Sequence, residues 1–158
     1  MSHLRTAAFA LALGIGLLAS RAGRAASFDL TGDWTYAITE ITVQGACPST
    51  GDFSGAAVIA QAGGAFTLDL VSGQPCLPAG ICSLAGTAAG AQYEATSGDI
   101  VADDEGGIAR TDASFTASSA TAAAGTAVST YTLDAFQCIW TSLAAESQSS
   151  SPASATSV

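Results

Sequence analysis

The sequence predicts an all-β fold: an antiparallel up-and-down β-barrel of eight strands. Three observations carry this. Apolar residues recur at every second position, not every third or fourth, over most of the chain beyond Asp33. Turn-forming clusters interrupt the runs at strand-length intervals. Strands placed by polarity alone put all four cysteines in or beside connections that an up-and-down order gathers at one end. A Greek-key β-sandwich is the alternative that strand spacing leaves open.

Residues 1–26 read as a secretory signal peptide. Arg5 precedes an apolar run from Thr6 to Ala19, too short to span a bilayer, and Gly23 and Ala25 suit cleavage after Ala25 or Ala26. No Cys follows the run to carry a lipid, and Arg21 and Arg24 are not adjacent. The first strand, 33–44, alternates Trp34, Tyr36 and Ile38 with Asp33, Thr35 and Thr39. "STGD" at 49–52 precedes the second, 53–61, and "AGG" at 62–64 precedes the third, 65–72, where Phe66, Leu68 and Leu70 share a face. "SGQP" at 72–75 separates it from the fourth, 81–88. The fifth spans 91–101. After "DDEGG" at 103–107 the sixth, 107–118, sets Ala109, Ala113 and Phe115 opposite Arg110, Asp112 and Ser114. "ASSATAAAGT" at 117–126 reads as strand end and turn, because Ser, Thr and Gly flank its Ala run. The seventh and eighth strands follow at 126–133 and 136–145. The barrel domain is therefore expected at 27–146, and 147–158 as a disordered, Ser-rich tail.

An even cysteine count in an exported chain predicts two disulfides. Zinc is disfavoured, since there is no Cys-x-x-Cys pair and no His beyond His3. Strands 1 and 8 are neighbours in a closed barrel, which favours Cys47–Cys138 as the bond that pins closure and Cys76–Cys82 as a clamp on the 3–4 loop. With all four at one end, crossed pairings are geometrically open too. Beyond the signal there is no Lys, Arg110 is the sole base, and thirteen carboxylates give a net charge of −12. Such a chain has no means of gripping nucleic-acid phosphates or an anionic membrane. It has no Asn and so no glycosylation sequon. Missing Lys and Asn beside abundant Ala and Gly suggest a GC-rich, bacterial source. The expected location is secreted or periplasmic.

The opening "LTGDWT" at 30–35, with Gly32-x-Trp34 at the head of strand 1 of an exported meander, resembles the calycins, and most of all the avidin-like branch. The resemblance implies an eight-stranded barrel with Trp34 plugging its closed end. It does not extend to a biotin pocket, which needs several Trp and an Asn. The basic residue that lipocalins place over the Trp is also missing, as Arg110 lies on strand 6.

The apolar face presents Trp34, Tyr36, Leu68, Tyr93, Phe115 and Tyr131, which would line a calyx for a small apolar or amphipathic ligand, or simply fill a core. Asp52, Asp103, Asp104, Glu105 and Asp134 fall in mouth loops. They lack the ligand register of a calcium loop, so no metal is expected, and they read as turn residues or as an acidic rim for a cationic ligand or a basic protein partner. Arg110 is expected to pair with Glu94 or to stack on a ring. Paired aromatic girdles of a membrane barrel are missing. Without His or Lys, and with cysteines in disulfides, nucleophile–base pairs are hard to assemble, so neither enzyme activity nor a cofactor is expected. The leading expectation is a ligand-binding barrel. Its rival is an interaction or structural module, inhibitors included, that works through disulfide-clamped mouth loops.

Overall fold

The structure, a computed structural model, describes residues 28–73 and 81–149. Nine strands form, β1 (Gly32–Gln44), β2 (Phe53–Ala62), β3 (Ala65–Ser72), β4 (Ser83–Ala89), β5 (Gln92–Thr96), β6 (Ile100–Val101), β7 (Ile108–Ser119), β8 (Ala122–Leu133) and β9 (Phe136–Gln148). No helix occurs among the described residues. Sequence-adjacent strands pair antiparallel except β5 with β6, both of which lie along β7, and β1 pairs with β9. The sheet thereby closes on itself as an eight-stranded up-and-down barrel, with β6 a short extension along β7.

The hairpins at one end are tight. Ala62 pairs with Ala65, Ala89 with Gln92 and Ser119 with Ala122, each across a two-residue turn. The opposite end, the mouth, carries the longer connections 45–52 and 102–107 and the Asp134-Ala135 turn.

The ladders shift register at Ile41 on β1, at Val71 on β3, at Ser118 on β7 and at the break between β5 and β6. β5 and β6 together are the expected strand 91–101, broken at Ser97-Gly98-Asp99. Thr96 faces Asp112 and Ile100 faces Ala109, so the broken strand carries one residue more than β7. Gly98 takes φ +66° there, and Ser97 is held by both its N–H and its hydroxyl against Thr111. On β1, Ile41 is the extra residue between the Glu40–Ser142 and Thr42–Thr141 pairs. This bulge keeps both Glu40 and Val43 on the inner phase of a long strand.

Two strand boundaries differ from expectation. β8 begins at Ala122, not residue 126, because the Ala run pairs with the end of β7 and leaves only Ala120-Thr121 as the turn. β9 continues through Glu146 to Gln148, where Trp34 pairs with Gln148. Ser147 and Gln148, expected in the tail, belong to the sheet, because strand 1 begins early enough to offer them ladder partners.

Interior aromatics sit beside glycines on the neighbouring strand. Phe115 pairs with Gly125, Phe66 with Gly86 and Tyr36 with Gly55. A Cβ at Gly125 would come within 2.0 Å of the Ser114 carbonyl and 2.5 Å of Phe115 Cα. Gly125→Val is expected to cost about 1–3 kcal/mol by overpacking, against less than about 0.5 kcal/mol for Thr126→Val on the outer face. Urea unfolding midpoints at unchanged slope measure the difference.

Candidate functional site

The closed end is filled. Trp34 is fully buried and donates its indole N–H to the Leu30 carbonyl at 2.7 Å. Leu30 is itself fully buried, and the segment leading to it is tied across the barrel base. Gln61 accepts from Leu30 N and donates to the Phe28 carbonyl, which also accepts from the Tyr93 hydroxyl at 2.7 Å. Tyr93 stacks on Phe115 with centroids 5.2 Å apart, and Phe66 meets both edge-on. Satisfied polar tips and mutual ring packing make this group a plug.

Between the plug and the mouth the interior narrows to small side chains and leaves a cavity of about 100 Å³. Its walls include Ile38, Phe53, Leu70, Leu84, Ala113 and Ala144. The polar groups that reach it are Tyr36, Thr111, Ser129, Ser142 and Glu146. Thr111 and Ser129 hydrogen-bond each other at 2.8 Å. Tyr36 donates to the Ser72 carbonyl at 2.9 Å, in space that Gly55 and Gly73 leave open. Glu146, between Tyr36 on β1 and Ala123 on β8, is different. Its Oε2 is buried without a hydrogen-bond partner, and burial alone pushes its pKa up to about 7.

The mouth is braced by the 45–52 loop. Cys47 and Cys138 form a disulfide with Cα atoms 5.7 Å apart, joining the end of β1 to the start of β9. The Trp140 indole donates to the Pro48 carbonyl at 3.0 Å. Glu40 accepts from the Thr50 N–H at 2.7 Å and from the hydroxyls of Ser49 and Thr50, and these bonds hold its pKa below the ordinary carboxylate value. Asp52 accepts from the Glu40 N–H. Cys82 is disulfide-bonded as well; the expected partner, Cys76, lies outside the described residues.

The residues expected to line a calyx are thus divided. Trp34, Tyr93 and Phe115 belong to the plug, Tyr36 and Leu68 reach the cavity, and Tyr131 stands at the mouth, donating to Asp103. Asp103 also caps the N–H groups of Glu105 and Gly107, so it organises its own turn. Asp134 occupies its turn at φ +50°. Asp104 and Glu105 are exposed in the same loop as Asp103. Among the described residues no three His, Cys, Asp or Glu side chains converge as a metal site. Arg110 pairs with Asp112 at 2.7 Å and Asp99 at 3.5 Å, not with Glu94, because Asp112 is the next outward residue of its own strand. Glu146 escaped the sequence reading, which ended strand 8 at 145. The signal was there: Cys138, Trp140, Ser142, Ala144 and Glu146 continue the same inward phase. No protein-family model, curated protein or solved structure matches the chain.

Glu146 has a consequence for stability. Its folded pKa is raised, so the folded state binds more protons than the unfolded chain between pH 4.5 and 7. That contribution is fully favourable at low pH and is lost as pH rises through 7. Stability is expected to fall by up to about 3 kcal/mol from pH 5 to 8, and Glu146→Gln is expected to flatten the decline. Urea unfolding of both proteins across that range checks it, and the difference between them cancels any contribution of His3.

Proposed function

We propose that this barrel is an exported, non-enzymatic binder of a small amphipathic molecule, held in the mouth-side half of its interior. The carrying observation is the division of the interior. The base is plugged by tightly packed, hydrogen-bonded aromatics, whereas the other half keeps apolar walls, a few polar tips and unfilled space. A barrel that merely held itself together would place larger side chains at Ala113, Ala127 and Ala144. The cavity is smaller than the roughly 300–1,000 Å³ of sites for drug-sized ligands, so the ligand is compact. The calycin-like character of the fold is supported by the meander and by Trp34 lodged at the closed end. Export is supported by the signal-like first 26 residues and by the disulfide.

A second reading, a protein-interaction module, draws on the mouth loop alone. The 45–52 loop is fixed by a covalent bond and by Glu40 and Trp140, as a preorganised binding loop would be. The acidic surface would then select a basic partner.

Filling the cavity separates the two. Ala144→Leu is expected to abolish the shifts that n-butanol induces in the methyl resonances of Ile38, Leu70 and Leu84, without loss of fold. Unshifted methyls in the wild type, or equal shifts in both proteins, would overturn the ligand reading. Native mass spectrometry of protein recovered from an exporting culture would then identify a natural occupant by its extra mass.

A further inference from the structure

We propose that Glu146 anchors the cationic head of a compact aliphatic amine whose hydrocarbon part lies against Ile38, Leu70 and Leu84. This rests on reading the interior as a ligand site, and names the ligand class.

The inference starts from hydrogen-bond accounting. A buried carboxylate is ordinarily satisfied by donors of its own protein. Glu40, the other inward-facing carboxylate of this barrel, lies nearer solvent at the mouth and still accepts from Ser49 and Thr50. Glu146 Oε2 has no such partner. The described hydroxyls nearest to it are bonded elsewhere or lie far along the strands. The Tyr36 hydroxyl, on the adjacent strand, is committed to Ser72, and Gly55 and Gly73 shape the space that holds it there. Thr111 and Ser129 bond each other, and Ser129 pairs with Trp140, six positions from Glu146 along β9. Ser142 is four positions along the same strand, about 13 Å away. Arg110, the sole cation among the described residues, lies on the outer face and is held by Asp112 and Asp99. Among the described residues nothing donates to Glu146 Oε2, and a ligand entering the cavity can.

Charge selects the donor. A neutral hydroxyl would leave the carboxylate's charge uncompensated in apolar surroundings, and an anion would be repelled. An ammonium supplies both the hydrogen bond and the opposite charge. Carboxylates at the mouth, including Asp52, Asp103 and Asp104, raise the local concentration of cations on the way in. Size sets the rest. A dry cavity of roughly 150 Å³ accepts benzene, so about 100 Å³ suits an amine of four or five heavy atoms.

Binding should depend on pH through Glu146. The titratable group facing it from β1 is Tyr36, whose pKa is raised further above its ordinary value by burial and which stays neutral. Its partner on β8 is Ala123, which does not titrate. Glu40, nearer the mouth, stays ionised in this range.

The test compares n-butylammonium, isosteric n-butanol and butyrate by calorimetry and methyl NMR at pH 8.5 on the full, oxidised chain. At least a tenfold preference for n-butylammonium over n-butanol is expected, with no binding of butyrate. That preference should vanish in Glu146→Gln, which keeps n-butanol binding and the side-chain shape, and should shrink in the wild type as pH falls from 8 to 5. Equal binding of amine and alcohol, or a preference that survives Glu146→Gln, would overturn the amine site and leave the cavity reading standing. Failure of both probes to bind would mean that the interior holds only water, and would overturn both.

Discussion

Closing eight strands around one core leaves an interior about as wide as the side chains that must fill it. Everything distinctive about this barrel follows from how that narrow space is shared. A large ring pointing inward must meet something small on the next strand. Phe115 faces Gly125, Phe66 faces Gly86 and Tyr36 faces Gly55. These pairs let Phe66, Tyr93 and Phe115 collect on one level and seal it with Trp34 and Leu30. Above that level Ala113, Ala127, Ser129, Ser142 and Ala144 face the cavity from β7, β8 and β9, so the volume concentrated below is missing there. The plug and the cavity are two results of one distribution of side-chain size.

The two inward carboxylates show how position decides their chemistry. Glu40 follows Ile38 by two positions on β1, next to the Ile41 bulge, where the chain is about to leave the sheet. The departing loop curls back and places Ser49 and Thr50 on it, so the charge organises the mouth and its pKa is lowered. Glu146 lies deeper, flanked by Tyr36 and Ala123, with no loop to reach it. Burial acts unopposed, and its pKa rises. Its titration is moved toward neutral pH, whereas Asp29, Glu40, Asp103 and Asp112 all move the other way.

Much of the fold was legible because period-two alternation and two-residue turns are local signals. The strands near 53, 65 and 136 begin where Phe53, Ala65 and Phe136 follow turn residues. The Cys47–Cys138 bond was legible from topology, since closing a meander makes the first and last strands neighbours. The bulges at Ile41 and Ser97-Gly98-Asp99 were not, because each is decided by registry with a partner strand. Composition also misled. Ser-rich sequence after residue 146 looked like tail, yet strand partnership of Ser147 and Gln148 with Thr35 and Trp34 overrides polarity there. Ending the last strand at 145 is what left Glu146 out. The candidate lining was half legible for a related reason: sequence alternation tells which residues point inward, but not at which level of the barrel they meet.

The placement of Glu146 has a cost that bears on its purpose. Removing an isolated carboxylate from water opposes folding by kilocalories, and a Gln or an apolar residue of similar size would relieve that at once. The surrounding structure does little to offset it. The Tyr36 hydroxyl donates to Ser72, Thr111 and Ser129 bond each other, and Thr50 donates to Glu40. A chain held together by a long-range disulfide, ninety-one residues apart, can carry such a defect without unfolding, because the cross-link restrains the unfolded state. Local energetic defects that a fold tolerates concentrate where a ligand relieves them. An unsatisfied charge beside apolar, unfilled space is such a defect, and an ammonium group with a short hydrocarbon tail corrects both of its parts together.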